Sequence, residues 1–167
     1  MELMHKDLRA ELTEVLPPNF QGHQDTFIKA ISDAINMSTE HEALKDALFP
    51  TIMCYAADFG YISVLQEVKK FGADLKSGDY EGRTPLHIAA KKGHVEVVKF
   101  LIAEGNESKY AWIKMFLGVN LNVVDGSGRS ALFEALFNKQ FVVSKVLIRA
   151  GAKILSEHDD MGDFLFQ

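Results

Sequence analysis

Several side chains in this 167-residue sequence are of a type and spacing that invites a chemical reading. His41-Glu42-Ala43-Leu44-Lys45 begins like the H-E-x-x-H zinc helix, but Lys45 puts a cation where the second imidazole must bind the metal. A solvated helix face is the better reading. Gly126-Ser127-Gly128 has the residues of a turn and lacks the flanking pattern that lifts a serine nucleophile above a sheet. Cys54 has no basic neighbours that would lower its pKa, so a buried, inert thiol is expected. Glu157-His158-Asp159-Asp160 reads as a solvated charge run. His87 is the strongest acid–base candidate, yet its neighbours give it a structural hydrogen bond instead. No phosphate loop of the G-x-x-x-x-G-K type occurs. Neither catalytic residues, metal ligands nor a cofactor site emerges.

The elements around these residues carry more information. Ala56-Ala57-Asp58-Phe59-Gly60-Tyr61 matches Ala89-Ala90-Lys91-Lys92-Gly93-His94 at an offset of 33, and Gly72 and Gly105 are separated by the same interval. Asp125, Gly128, Arg129, Ser130 and Leu132 match Asp79, Gly82, Arg83, Thr84 and Leu86 at an offset of 46, as if the same period carried a 13-residue insertion. Thr84 suits an N-cap and Pro85 the first helical position, where its missing N–H has no partner to lose. Ala89 and Ala90 allow a short helix to lie close to its pair. Gly93 and Gly105 are each expected to end a helix in the left-handed conformation, and Asp79-Tyr80-Glu81-Gly82 to form a tight turn with Gly82 at positive φ. In the third unit Asn138 replaces Lys92 and is expected to tolerate the left-handed turn. Phe133, where the second unit has His87, is expected to pack rather than link repeats.

This pattern resembles the ankyrin repeat, whose signature T-P-L-H-x-A stands here as Thr84-Pro85-Leu86-His87-Ile88-Ala89. The resemblance implies an all-α solenoid of about three repeats over residues 50–155, interrupted at 106–118, with residues 156–167 opening a truncated further repeat. It also implies a partner surface on the projecting hairpin and the concave face of the short helices, through Asp79, Tyr80, Glu81, Arg83, Lys91 and Lys92. Thr84, Pro85, Leu86, His87, Gly93 and Gly105 form the structural motif. The insertion, which holds Trp112, Ile113, Met115, Phe116 and Leu117, has three readings: a helical extension packed on the solenoid, a partner-binding protrusion, or a retained in-frame intron.

The N-terminal residues add a second resemblance. Leu8, Leu12, Val15 and Leu16 share one helical face that Pro17-Pro18 ends, and Phe27, Ile31, Ala34 and Ile35 repeat the spacing. Thr39 and Glu42 suggest a capping box, and Pro50 sits where the first repeat's leading helix is expected to begin. Leu8-Arg9-Ala10-Glu11-Leu12-Thr13 is similar to the closing helix of cytosolic-type L-asparaginase catalytic domains, L-R-G-E-[LM]-T, departing only at Ala10. Animal members, also described as lysophospholipases, carry ankyrin repeats behind that helix, and residues 43–57 resemble their entry into the first repeat. The implied division is an asparaginase-like terminal helix at 1–18, a helical linker or cap at 19–49, and the repeats. The family's T-G-G-T-I and T-D-x threonine motifs are absent from these residues, so the resemblance implies a non-catalytic C-terminal part of a longer asparaginase. A stand-alone ankyrin adaptor is the alternative.

Composition sets limits and does not by itself indicate a function. Net charge is −5, which argues against a nucleic-acid surface. No apolar run is long enough to span a bilayer, and one cysteine fits a reducing, cytoplasmic setting. The expected partner is another protein, the parent's own catalytic domain, or a second copy of the chain.

Overall fold

The computed structural model describes residues 41–105 and 120–154. The sequence-predicted helices before residue 41, the insertion at 106–118 and the truncated repeat at 156–167 lie outside the described residues. Among the described residues the order is α1 (His41–Phe59), α2 (Ile62–Lys70), α3 (Pro85–Lys92), α4 (Val95–Gly105), α5 (Ala131–Phe137) and α6 (Phe141–Arg149). The expected all-α repeat architecture is present: α1, α3 and α5 pack side by side in one layer, α2, α4 and α6 in the other.

Helices of eight or nine residues are marginal alone, so packing decides their stability. Each pair closes through the same turn. The amides of Tyr61, His94 and Gln140 reach back to the carbonyls of Ala56, Ala89 and Ala135 at 2.8, 3.0 and 2.8 Å. Gly60 and Gly93 take φ of 75° and 79° to make that bond. In the third unit the left-handed residue is Lys139, at φ 57°, and not Asn138 as expected. Asn138 instead donates its side-chain amide to the Glu134 carbonyl at 2.8 Å, capping the helix end. Alanines fill the seam between helices: Ala56, Ala57, Ala89, Ala90 and Ala135 are fully buried. Around them Met53, Leu65, Leu101, Leu132 and Leu147 form one continuous core. Burying each such side chain contributes roughly 1.5–3 kcal/mol.

Two further expectations are corrected. Pro50 does not begin the first repeat's leading helix; it lies inside α1, which runs unbroken from the preceding linker. Proline lacks an N–H, so that helix forgoes one rung; buried Phe49, Ile52 and Met53 on either side hold it through packing. Gly105 is the last residue of α4 itself, whereas Gly72 and Gly151 turn left-handed at φ 89° and 100°. The inserted segment, and not the repeat's ordinary loop, comes next in the chain after Gly105.

Between repeats the chain projects two fingers. In the first, the Asp79 amide donates to the Arg83 carbonyl at 2.9 Å; in the second, Asp125 does the same to Arg129 at 2.9 Å. Gly82 takes the expected positive φ, and Gly128 does the same in the second finger. The fingers touch, with the Gly126 amide donating to the Glu81 carbonyl at 2.7 Å. A Cβ on Gly126 would stand 2.9 Å from that oxygen, which is backbone and cannot swing away. Gly126→Ala is therefore expected to push the fingers apart and lower stability by about 1–2 kcal/mol in urea unfolding. Ser127→Ala, at the exposed tip, should leave the midpoint unchanged.

Candidate interaction surface

His87 sits 2% exposed at the third position of α3, where the helix start and the next finger meet. The Thr84 amide donates to its Nδ1 at 3.2 Å, and the Thr84 hydroxyl lies 2.8 Å from the same nitrogen. Because Nδ1 accepts an amide proton, the ring proton is on Nε2. That proton is shared between the carbonyls of Val123 and Arg129, each 3.0 Å away. One neutral imidazole thus completes a capping box in one repeat and satisfies two backbone acceptors of the next. Burial pushes its pKa below the ordinary imidazole value; this outweighs the carboxylates of Asp125 and Glu134 and the two carbonyls, which favour the cation. Both ring nitrogens are occupied, so the ring is not set up as a general acid or base.

The equivalent position one repeat earlier is Cys54, buried as expected, whose Sγ donates to the Arg83 carbonyl at 3.3 Å. Arg83 and Arg129 are equivalent residues, so thiol and imidazole perform the same link. The register that aligns Cys54 with His87 carries this signal, whereas the residue type alone suggests only an inert thiol. Phe133, third in the series, stacks on Phe137 with ring centroids 5.8 Å apart. A second inter-repeat contact has no counterpart in the sequence expectations. The His94 ring covers Gly60 and its Nε2 lies 2.9 Å from the Asp58 carbonyl, while the Gln140 side chain covers Gly93.

The fingers are braced from within. Asp79 Oδ1 accepts from the amides of Glu81 and Arg83 at 3.0 Å each, and Oδ2 from the Arg83 guanidinium at 2.7 and 3.0 Å. Asp125 makes the same clasp with Ser127 and Arg129. Burial alone would raise the Asp125 carboxyl; the amides of Arg129 and Ser127 and the Arg129 guanidinium overcome it and hold the group below the usual range. Arg129 also reaches buried Glu134 at 3.0 Å, and Glu134 accepts from Asn138.

Of the six sequence-predicted surface residues, Asp79 and Arg83 spend their side chains inside this clasp. Tyr80 is 50% exposed at the fingertip, its hydroxyl donating to Glu81 at 2.8 Å. Glu81 is exposed too and pairs with Arg83 at 2.8 Å. Lys91 and Lys92 stand together at the end of α3, where Lys92 pairs with Asp58 at 3.1 Å. Phe59, which follows Asp58 in the chain and is 40% exposed, forms an aromatic pair with Tyr55 that sequence reasoning missed, with centroids 4.7 Å apart. No pattern in the sequence sets these two apart from core residues. Among the described residues no three His, Cys, Asp or Glu side chains converge as metal ligands, and no helix is long and apolar enough to cross a membrane.

A family model for ankyrin repeats matches residues 21–111 and again 53–158. The chain belongs to the ankyrin-repeat family. Among curated relatives, this ankyrin chain is similar to a protein named L-asparaginase from Dirofilaria immitis, 32% identical over 152 residues, which covers 90% of this chain and 23% of that protein. It is also similar to the 60 kDa lysophospholipase of Mus musculus, 38% identical over 107 residues, covering 62% of this chain and 19% of that one. The ankyrin chain therefore spans about a fifth of the length of these relatives. Among solved structures it resembles a chain from the complex of the Bd0816 predatory endopeptidase of Bdellovibrio bacteriovorus with immunity protein Bd3460. There the TM-score is 0.52 and the identity 32%, over 62% of this chain and 47% of that one.

The His87 geometry predicts a pH dependence with a definite sign. In the unfolded chain the ring titrates near about 6.5, and in the folded chain lower. Between those values the unfolded chain binds the extra proton, so stability falls as pH drops through about 6.5. Asp125, also depressed when folded, adds a further loss below about pH 4. Urea midpoints at neutral and mildly acid pH should converge in His87→Gln, which donates without titrating. His87→Ala should cost about 1–3 kcal/mol at neutral pH, because the Thr84 amide loses its acceptor, the Val123 carbonyl loses the imidazole donor and the Arg129 carbonyl is left with the Asp125 amide alone.

Proposed function

We propose that this chain is a protein-interaction module of a cytosolic L-asparaginase, binding a protein partner or the parent's own catalytic domain. What supports the interaction role is the division of labour on its surface. The fingers are braced by Asp79, Arg83, Asp125 and Arg129, which leaves Tyr80, Glu81 and the Lys91–Lys92 pair to face a partner. Aromatic and cationic side chains on a rigid frame are what protein interfaces enrich, and rigidity lowers the ordering cost of binding.

The asparaginase setting rests on two observations: the L-asparaginase relative covers nearly the whole chain, and the Leu8–Thr13 segment has the form of that family's closing helix. In this reading asparagine hydrolysis belongs to the parent, whose threonines lie outside these residues. Self-association belongs to the same proposal, with the repeats holding copies of the parent together. The lone cysteine, buried against the Arg83 carbonyl, is in keeping with a reducing cytoplasm. A stand-alone ankyrin adaptor is the competing reading.

The two separate by genetics and by assay. Coding sequence upstream of Met1 should encode the T-G-G-T-I and T-D-x threonines; an unrelated exon there would sink the asparaginase setting while leaving the interaction role standing. The purified 167-residue chain should release no ammonia from asparagine. Tyr80→Ala combined with Lys91→Glu should weaken capture of the parent catalytic domain by about tenfold or more, roughly 1.4 kcal/mol, with the thermal midpoint unchanged. Equal binding by the double variant would move the interface elsewhere.

A further inference from the structure

The last described repeat carries an exposed face of distinctive chemistry. Phe141, Val142, Lys145, Ile148 and Arg149 all point to solvent from α6. At about 100° per residue they fall within roughly a third of the helix circumference. Phe141, Val142 and Ile148 are 67, 63 and 51% exposed, and Phe137 at the end of α5 is 62% exposed. Residues 135–154 contain four cations, Lys139, Lys145, Arg149 and Lys153, and no acidic residue, in a chain whose net charge is −5. The equivalent positions in the middle repeat differ: Val95 and Ile102 are half-buried against the core, and Glu96 pairs with Lys99 at 2.7 Å.

The C-terminal end of the sequence has the complementary composition. Residues 156–167 carry four carboxylates, Glu157, Asp159, Asp160 and Asp163, together with Met161, Phe164, Leu165 and Phe166, and contain no lysine or arginine. We propose that the α6 face is the docking surface for this segment of the same chain. Its carboxylates would meet Lys145 and Arg149, and its aromatic end would cover Phe141 and Val142. Reach is ample: a dozen residues can extend about 40 Å, whereas nine helical residues span about 13 Å. Tethering also gives the segment a high effective concentration, so a modest contact suffices. Face-to-face pairing of two copies is disfavoured, because a two-fold axis sets the same cations against each other.

The test uses the full chain with a nitroxide on Gln167→Cys; buried Cys54 stays unlabelled in the folded protein. The amide signals of Phe141–Arg149 should broaden. Lys145→Glu with Arg149→Glu should abolish that broadening, and adding Asp159→Lys with Asp160→Lys should restore it. The substituted helix positions are exposed, so circular dichroism should show every variant folded. Absence of broadening in the parent chain would overturn the proposal, as would broadening indifferent to charge reversal. Broadening seen between labelled and unlabelled copies would overturn it in favour of a second chain on this face. Flotation of the full chain with phosphatidylserine vesicles, lost in Lys145→Glu/Arg149→Glu, would overturn it in favour of an anionic membrane.

Discussion

The imidazole of His87 stands where three requirements of a repeat protein coincide. A short helix needs its first amides satisfied, a finger needs its inward carbonyls satisfied, and neighbouring repeats need a fixed register. Thr84 on one side and Val123 and Arg129 on the other meet all three through one ring. Hydrophobic contact between alanine-lined helices is non-directional and tolerates sliding. The hydrogen bonds do not, because a shift of one residue takes the imidazole away from the Thr84 amide and from the carbonyls of Val123 and Arg129. Burial supplies the energy of the stack, and the polar link selects a single arrangement of it.

The same logic is applied unevenly along the chain. Cys54 makes the link with a thiol, a weaker donor, at the first junction, and Phe133 brings only an aromatic surface to the end of the third unit. The middle junction is therefore the best defined. Glu134 adds an asymmetry, since it occupies the place of Ile88 and is buried at 3% exposure among Arg129 and Asn138. The third unit consequently carries a polar cluster that the second lacks, and the two are not interchangeable.

Much of this is legible in the residues themselves. The period of 33, the Thr84 and Pro85 helix start, the left-handed glycines and the structural role of His87 all follow from local chemistry. The features that escape such reading are decided by distant parts of the chain. Lys139 bears the left-handed turn because the turn must close on Ala135, whatever residue stands there. Pro50 lies within a helix because tertiary packing around Met53 outweighs local propensity. The reach of Asp79 and Arg83 into their own finger, which removes them from the outer surface, depends on backbone closure that residue types alone do not reveal. The aromatic pair Tyr55–Phe59 has the residue types of a core, and only the exposure of Phe59 sets it apart.

The Asp79–Arg83 clasp has an evolutionary corollary. The closure is made by the two ends of the finger and by backbone amides, with Glu81 adding an outer ion pair to Arg83, so the side chain at 80 contributes little to holding it shut. Mutation at position 80 is insulated from folding. Such a fingertip can change its exposed side chain without crossing a valley of unfolded intermediates. The order of repeats, by contrast, is locked by buried groups that tolerate almost no drift.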